Sequence, residues 1–428
     1  MSDPARPRLV FAACRPPYPL ENGARIRTYQ LLSGLARSFD TLFVTFEHHA
    51  DSPDGACSAE QLKGLLGDIE VVTVPGTGPG KRARQAISLL QPQSWTLGRY
   101  RTSAFAAALG HAVASHRPNV VHFDDAGVAL VPPFADTLNV YCAHNVEQTI
   151  LRLEARVGAP PRRLFNAVEA YKVAHEERRI WRRVDLCLAV SPLDGAVMKA
   201  AGARRVEVCP NGVAAVDRLP LRPLGRDEPL RLLFVGSAGY APYERGLAWM
   251  VREVLPRVRR QVSSVTFDVV GTPAARPVTG EGVRYVGRVP AVEPYYDGAH
   301  VVVVPVFEGS GTRLKIIEAA AYGRPVVSTR LGAEGLPLRA GEHFLQADDA
   351  DGFAAAVVQL YDRWREPAGG GLEPMLTDAR EAVGALVWSR VVEGLAALYL
   401  SELERRAATK PAAVPAAGSA SLPDPSRA

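Results

Sequence analysis

Short apolar, β-branched runs alternate with longer helix-like segments along most of this chain. In the first half, seven runs cover residues 9–14, 41–46, 70–74, 119–123, 139–143, 186–191 and 206–209. In the second half, six runs cover residues 230–235, 266–270, 283–286, 301–306, 325–328 and 343–346. Near-continuous apolar strands are typical of sheets covered on both faces, and alternation with helices is typical of parallel sheets. The pattern therefore predicts an α/β chain of doubly wound, Rossmann-like units.

The length of 428 residues exceeds one ordinary core and suits two domains. The proline-containing, charged stretch at 216–229 has no apolar period and indicates a linker. We therefore predict Rossmann-like domains at 1–215 and 230–375 that face a central cleft, since ligands bind at the carboxyl ends of such strands. A helical segment at 376–405 can return to the first domain, and the Ala/Pro/Ser-rich tail at 406–428 is predicted to be disordered.

Bulk properties exclude several classes of protein. A formal net charge of +5 is far from the concentrated charge of a dedicated nucleic-acid binder. Five widely spaced cysteines without a CxxC pair favour reduced thiols and give no support for a zinc site. Because no apolar run suits a secretory signal or a membrane span, we expect a cytoplasmic protein.

The segment at 307–325 follows a predicted strand and holds a Gly-rich turn before a helix that starts near Thr312, with Ser310 or Thr312 as its N-cap. Unpaired N–H groups and the positive end of the helix dipole make such a turn a diphosphate site. Arg313 and Lys315 stand at the helix end that disfavours cations, so a bound anion would explain them.

Glu318 lies further along the same predicted helix. A carboxylate there can accept both hydroxyls of a ribose. The alternative is an ordinary amphipathic helix on which Glu318 pairs with Lys315 or Tyr322. Spacing alone leaves both interpretations open.

Residues 318–327 read Glu-Ala-Ala-Ala-Tyr-Gly-Arg-Pro-Val-Val. They resemble the donor-binding segment of the retaining glycosyltransferases of family 4, also called group 1, which have the GT-B fold. Residues 331–335 are similar to the next loop of that family. The family has a glutamate eight positions before Glu318, where this chain has Ser310, and Glu308 lies two residues earlier. A branch of the family shows this form, so we do not interpret Ser310 as inactivation.

Two further loops resemble the family. Residues 17–27, with a turn at Asn22-Gly23, are similar to the N-terminal loop near donor phosphates and acceptor, and a surface turn with solvated arginines is the alternative. Residues 144–147, His-Asn-Val-Glu, resemble the loop whose histidine is expected near the transferred sugar. A structural histidine is the alternative there. Residues 210–213, Pro-Asn-Gly-Val, also resemble the family, and a turn is the favoured role.

The resemblance implies a set of site residues. His144 is the predicted catalytic residue, and Arg27, Asn145 and Glu308 are candidate acceptor or sugar contacts. The predicted donor-binding residues are Gly23, Gly236, Ser310, Gly311, Thr312, Arg313, Lys315 and Glu318. The basic pair that the family often has after Gly236 is not recognisable, so Arg313 and Lys315 would supply its charge. Asp124-Asp125, the nearest thing to a metal-binding Asp-x-Asp motif, is interpreted as a loop.

The same resemblance implies a hexosyltransferase that needs no cofactor and no metal, with a UDP- or GDP-linked sugar as substrate and retention at the anomeric carbon. The acceptor would be a glycan, a lipid-linked sugar or a small molecule on the first domain. Other possibilities are a sugar-nucleotide epimerase or hydrolase of the same fold and a non-catalytic sugar-nucleotide binder.

Residues 152–183 carry many basic side chains with few acidic partners. The nine basic residues are Arg152, Arg156, Arg162, Arg163, Lys172, Arg178, Arg179, Arg182 and Arg183. A solvated helix face is one interpretation. The other is peripheral docking on the anionic inner face of the plasma membrane to reach a lipid-linked acceptor.

Overall fold

The computed structural model describes most of the chain. The described residues are 6–20, 22–47, 59–67, 69–74, 85, 87–156, 159–221, 228–308, 314–366 and 371–409.

The first domain is built on a seven-stranded parallel sheet in the order β3-β2-β1-β4-β5-β6-β7. Its strands are β1 (Arg8–Ala13), β2 (Asp40–Phe46), β3 (Glu70–Val74), β4 (Val120–Asp124), β5 (Leu138–Cys142), β6 (Leu186–Ala189) and β7 (Val206–Val208). The central strands β4, β5 and β6 are buried at every position, including the polar residues His122 and Asp124 of β4 and Asn139 of β5. In the register, Leu9 of β1 pairs with Thr41 of β2 and with Val120 of β4.

Helices cover both faces of this sheet. They are α1 (Gly23–Leu35), α2 (Ala59–Leu66), α3 (Trp95–Gly98), α4 (Ser103–His116), α5 (Glu147–Glu154), α6 (Pro160–Arg183) and α7 (Pro192–Ala200). Local capping sets several starts, because the side chains of Asn22, Thr102 and Ser191 accept backbone N–H bonds at α1, α4 and α7.

The second domain repeats the plan with a six-stranded parallel sheet in the order β10-β9-β8-β11-β12-β13. Its strands are β8 (Leu230–Val235), β9 (Val265–Val270), β10 (Val283–Gly287), β11 (Val301–Val304), β12 (Val326–Ser328) and β13 (Leu345–Gln346). Its helices are α8 (Ala241–Trp249), continued by a π-turn (Met250–Val254) into α9 (Leu255–Arg259), then α10 (Glu293–Gly298), α11 (Leu314–Tyr322), α12 (Ala350–Arg365) and α13 (Leu372–Val383).

The chain then crosses back to the first domain. Helix α14 (Trp388–Thr409) packs against α1, and a Cβ on Gly34 of α1 would overlap the side chain of Val392. At the crossing, Val213 donates its N–H to Leu386 and accepts from Trp388, with N···O distances of 2.8 and 3.0 Å. The two segments that join the domains are therefore hydrogen-bonded to each other.

The predicted α/β class with two doubly wound sheets is confirmed, and all thirteen predicted runs contain strands. The C-terminal region differs from the prediction. The segment predicted as one helix at 376–405 is two helices, because the pairing of Val213 with Val387 breaks the chain between them. Residues 406–409, predicted to be disordered, form the last turn of α14.

Two further observations concern the cysteines and the membrane. Within the described residues, Cys14, Cys142, Cys187 and Cys209 are buried free thiols, and Cys57 lies outside that part of the chain. Among the helices that the structure describes, none has the length and apolar character to span a bilayer.

Candidate active site

His144 and Asp124 meet at the carboxyl edge of the first sheet. Asp124 is the last residue of β4, and His144 follows the neighbouring strand β5. Because parallel neighbours end at the same edge, the two side chains come together, with His144 Nε2 3.0 Å from Asp124 Oδ1. The carboxylate is fully buried, whereas the His144 side chain retains 12% of its exposure. This pair places a buried negative charge directly beside a partly exposed histidine at the carboxyl edge of the sheet.

Asp124 is the centre of a buried polar network. Its Oδ2 accepts a hydrogen bond of 2.6 Å from the hydroxyl of Thr28, and its Oδ1 lies 3.6 Å from Nε2 of His122. His122 Nδ1 is in turn 2.6 Å from the hydroxyl of Tyr399 on α14. The interpretation of Asp124-Asp125 as a loop was wrong for Asp124, since this residue completes the strand and contacts the side chains of Thr28, His122 and His144.

The charges in this network shift one another's proton affinity. Burial by itself would raise the pKa of Asp124, but the positive charges and N–H groups of His144 and His122 hold it far below its usual range. Burial lowers the pKa of His144, and the carboxylate of Asp124 more than offsets this, so the pKa stands above its ordinary value. The carboxylate of Asp124 therefore favours the protonated form of His144, in which both ring nitrogens are donors.

Arg27 and Arg25 are buried, with exposures of 1% and 3%. Arg27 donates to the carbonyl oxygens of Cys209 and Pro210 at 2.8 and 2.9 Å, and to Asn211 Oδ1 at 3.1 Å. The alternative of solvated arginines was therefore wrong. The predicted contact of Arg27 with acceptor or sugar also gains no support, because its guanidinium binds the loop after β7 instead.

Three side chains could in principle hold a metal ion. One ligand atom each from His122, Asp124 and Cys142 lies within 4.8 Å of the others. The guanidinium of Arg27 already contacts Cys142 Sγ at 3.5 Å, and a second cation beside it would be repelled. The hydroxyl of Tyr399 also engages His122. We interpret this cluster as a polar network, and the absence of a metal remains a prediction.

In the second domain, Lys315 lies over Gly236 at the carboxyl end of β8. Its Nζ is 3.7 Å from the ring centroid of Tyr243 and 4.8 Å from that of Phe234, and a Cβ on Gly236 would lie 3.3 Å from it. Gly236 has φ +152°, a conformation that side chains disfavour. Aromatic faces stabilise the buried ammonium. Two of the predicted donor residues are thus brought together, with a cation at the end of the strand.

Glu318 is mostly enclosed by α10 and its own helix. Its Oε2 accepts a 3.0 Å hydrogen bond from the hydroxyl of Tyr296, a partner that neither sequence interpretation included. Burial raises the pKa of Glu318, while the Tyr296 hydroxyl and the charge of Lys315 act in the opposite direction. A carboxylate held in this way retains an oxygen for a ligand hydroxyl.

Glu308 forms an ion pair with Arg245 of α8. Both line a cleft of about 510 Å³ between the domains. The first domain contributes Ile150, Leu153, Glu154, Arg162 and Asn166 to it, and Tyr240 and Glu244 stand beside Arg245 on the opposite side. The cleft thus contains a basic residue, Arg245, in the region where the family's basic pair was not recognisable.

Gly23 brings the two halves together. It begins α1, and a Cβ there would lie 2.9 Å from Leu314 Cδ1 at the start of α11.

Asn145 is half-buried in the turn after His144. Ser310, Gly311, Thr312 and Arg313 lie outside the described residues. The described helix starts at Leu314, directly after them.

Sequence reasoning missed Asp124, His122, Tyr399, Tyr296 and Arg245. For Asp124 a signal existed, since it is a charged residue at the end of an apolar run. Tyr399 and Tyr296 carry no such signal, because they come from distant helices and reach the site only through packing.

The family model described as glycosyl transferases group 1 matches residues 229–363, which cover the second domain from β8 into α12. This part of the chain is therefore similar to the group 1 glycosyltransferases. The match includes Gly236, Lys315, Glu318 and the ion pair of Glu308 with Arg245, so the whole second-domain side of the cleft is family sequence.

Solved glycosyltransferases share the architecture over nearly the full chain. Sucrose-phosphate synthase from Thermosynechococcus elongatus superposes with a TM-score of 0.65 at 18% identity, covering 93% of this chain and 100% of the other. Anabaena HepE in complex with UDP-glucose gives 0.60 at 14% identity, with 92% and 99% covered. TarM gives 0.61 at 10% identity, with 92% and 98% covered. These likenesses confirm the predicted GT-B fold.

Matches to curated sequences are shorter. D-inositol 3-phosphate glycosyltransferase of Geodermatophilus obscurus is 34% identical over 123 residues, which is 28% of this chain and 25% of the relative. An uncharacterized 44.6 kDa protein in the cps region of Klebsiella pneumoniae is 26% identical over 140 residues, which is 30% of this chain and 36% of the relative. The matches therefore span well under half of each relative.

Proposed function

We propose that this protein transfers a sugar from a nucleotide-diphosphate donor, UDP- or GDP-linked, to an acceptor on its first domain. The observation that carries the proposal is the pairing of two unlike half-sites at the ends of facing parallel sheets. One half holds the cation of Lys315 over Gly236, with Glu318 three residues further along α11. The other half holds His144 above a buried carboxylate.

The second-domain residues suit a nucleoside diphosphate. Glu318 accepts the ribose hydroxyls, and Lys315 neutralises charge on the phosphates as the leaving group forms. We expect the Gly-rich residues 309–313, which lie outside the described residues, to supply the rest of the phosphate site. Because cations and helix N–H groups can stabilise this leaving group, the proposed reaction needs no metal and no cofactor.

The first-domain residues suit the transferred sugar. His144 donates to a sugar hydroxyl, and Asp124 keeps its proton affinity high enough for that role. Since Ser310 stands where the family has a glutamate, Glu308 is the nearby carboxylate for a second sugar hydroxyl, held in place by Arg245. Retention at the anomeric carbon is part of the proposal through the family resemblance.

The donor assignment is tested by thermal stabilisation with UDP-, GDP- and ADP-sugars. One donor should raise the melting temperature, since a ligand at a hundred times its Kd stabilises by about 2.7 kcal/mol. Glu318→Ala should abolish the shift, while Glu342→Ala, an exposed glutamate of the same domain, should keep it. No shift with any donor, or an equal shift in Glu318→Ala, would contradict the assignment.

The reaction class is tested by nucleotide release with and without acceptor mixtures. A transferase releases the nucleoside diphosphate faster when acceptor is present. Equal release without acceptor would favour the hydrolase or epimerase alternative. Donor binding with no release under either condition would favour a non-catalytic binder.

The acidic residues of α6 do not neutralise its arginines. Glu169 accepts from the backbone N–H groups of Trp95 and Thr96 at the start of α3, and Glu177 accepts from those of Glu147 and Gln148 at the start of α5. Glu176 likewise binds Ser94 and Arg101. These buried carboxylates cap other helices. The sequence predicted few acidic partners for these arginines. The structure leaves them fewer still, because the acidic side chains of α6 bind other helices.

Apolar side chains accompany that charge. Leu164 and Tyr171 lie two turns apart on α6 with exposures of 68% and 79%, and Arg178 and Arg179 are exposed beyond them. Lys172 donates to the carbonyl of Ser88 at 2.6 Å, which anchors to α6 the turn bearing the 92% exposed Leu90. We propose that this surface docks on an anionic membrane leaflet, on the side of a lipid-linked acceptor.

Sedimentation with phosphatidylcholine vesicles, with and without phosphatidylglycerol, tests the docking surface. Binding should require the anionic lipid and weaken in high salt. The double change Arg178→Gln and Arg179→Gln should weaken it roughly 30-fold, since each basic residue is worth about 1 kcal/mol there. Leu193→Ser, a 54% exposed leucine on α7, is the control. Vesicle binding that does not change with salt or with lipid charge would contradict the docking proposal and favour a solvated helix face.

A further inference from the structure

The C-terminal helix reaches the floor of the first-domain site. After crossing back from the second domain, α14 buries Trp388, Leu395 and Tyr399 in the core beneath β1, β4 and β5. Tyr399 is completely buried, and its hydroxyl lies 2.6 Å from His122 Nδ1. The His122 ring also stacks on Phe11, with centroids 4.2 Å apart and planes inclined by 13°. The imidazole of His122 is therefore fixed by stacking on Phe11 and by the contact of its Nδ1 with the Tyr399 hydroxyl.

The contacts continue from His122 to the cleft. His122 and Asp124 are two apart on β4, so their side chains share one face of the sheet. Asp124 Oδ1 stands between two imidazoles, 3.6 Å from His122 Nε2 and 3.0 Å from His144 Nε2. The chain of contacts from Tyr399 to His144 thus passes through one carboxylate oxygen.

The tyrosine hydroxyl selects the protonation pattern of His122. Burial raises the pKa of Tyr399 well above its usual value, so its O–H remains protonated. Neutral His122 accepts this proton at Nδ1 and carries its own at Nε2, facing Asp124. Protonated His122 also has Nε2–H on that side. In both states a hydrogen, and not a lone pair, faces the carboxylate.

We propose that Tyr399 and His122 are positioning residues for His144, acting through the carboxylate of Asp124. The proposal rests on the proposed function, in which His144 contacts the transferred sugar. As a consequence, the pKa and position of His144 in the first domain depend on α14, a helix that follows the second domain in the chain.

Other charged and titratable groups surround the network and set its baseline. Arg27 of α1 lowers the proton affinity of His144, and Asp125 raises it. Cys142 on β5 acts on His122, and both Cys142 and Cys209 stand near Tyr399. None of these groups is altered by removing one hydroxyl, so Tyr399→Phe isolates the proposed effect.

Tyr399→Phe keeps the ring against Phe39 and removes only the hydroxyl. Protonated His122 then has no acceptor for its Nδ1–H, so its neutral form is favoured and less positive charge faces Asp124. More of the negative field of Asp124 then acts on His144. The pKa of His144 should rise by about half a pH unit. Because the contacts that orient Asp124 beneath His144 are weakened, we expect kcat for sugar transfer to fall about 10-fold, with donor KM within twofold of wild type.

The test measures the His144 imidazole by NMR across pH, assigned with His144→Gln, together with the pH profile of kcat. Tyr361→Phe is the matched control, since its hydroxyl donates to the carbonyl of Glu228 in the second domain. An unchanged His144 pKa in Tyr399→Phe overturns the proposal, and so does a shifted pKa with unchanged kcat. Wild-type protein without transfer activity would contradict the proposed function, while the NMR titration still decides the network.

Discussion

The two sides of the cleft are built in opposite ways. On the first-domain side, the site draws Thr28, His122, Asp124, His144 and Tyr399 from α1, β4, the loop after β5 and α14. On the second-domain side, Lys315 and Glu318 stand three residues apart on one helix. The first half-site is part of the buried core of its domain. The second lies on a single helix that packs against the sheet of its domain. Changes in the first should therefore disturb stability and chemistry together, and changes in the second should chiefly disturb donor binding.

Asp124→Asn should produce the largest effect. Removing the charge leaves two buried histidines without their counter-ion, and breaking a buried pair costs about 3–5 kcal/mol. The free energy of unfolding, measured with urea, should fall by that amount, and sugar transfer should fall at least about 100-fold. Asp268→Asn, whose carboxylate pairs with exposed Arg284, should cost less than about 1 kcal/mol.

Asp124→Asn should also reverse the direction of the pKa shift of His144. With Asp124 present, the pKa of His144 lies above its ordinary value, so this contact stabilises the fold below pH 6.5 and is lost as pH rises through the folded pKa. In Asp124→Asn, burial is left without its opposing charge, and the His144 pKa should drop below 6.5. A His144 pKa that stays high in the variant would show that another group supplies the field.

Lys315→Met should affect binding more than folding. A charge-assisted contact to a phosphate is worth about 1.5–3 kcal/mol, which corresponds to roughly 10- to 100-fold in donor Kd by calorimetry. Because methionine can keep the contacts with Tyr243 and Phe234, the unfolding free energy should change by less than about 1 kcal/mol. Lys199→Met, at an exposed lysine of α7, is the control. A large loss of stability in Lys315→Met would remove the contrast between the two half-sites.

Gly236→Ala should have a smaller, mixed effect. Its φ of +152° is unfavourable for alanine, at a cost of about 1–2 kcal/mol, and the new Cβ would press on Lys315. Melting temperature should fall and donor affinity should weaken by less than in Lys315→Met. Gly298→Ala, where a Cβ has only the end of Arg231 at 3.9 Å, is the comparison. Wild-type donor affinity in Gly236→Ala would argue that the ligand does not approach this backbone.

His300 should give the smallest effect, with a pH dependence opposite to that of His144. Burial lowers its pKa to about 4, so the unfolded chain binds more protons between pH 6.5 and 4. Stability from this residue should fall by about 1 kcal/mol from pH 7 to 5.5. His300→Gln should flatten that part of the pH–stability curve. An unchanged curve would mean that His300 gains no proton on unfolding.

The difference between the two half-sites also explains which features could be predicted from the sequence. Apolar runs located the thirteen strands of the described residues, because burial on both faces leaves a local signature. The second-domain half-site was predicted as a unit, since Lys315 and Glu318 are close along the chain. The break between α13 and α14 was missed because it depends on Val213 pairing with Val387, a contact between residues far apart in the chain.

By itself the sequence determined two doubly wound sheets, a segment suited to a diphosphate, and a histidine after a buried strand. Only the tertiary structure decided how that histidine is charged. Asp124 lies beneath His144 because adjacent parallel strands end together, and Tyr399 reaches His122 because α14 returns to the first domain. A pKa depends on every charge and hydrogen bond within a few ångströms, and those neighbours come from parts of the chain that only folding brings into contact.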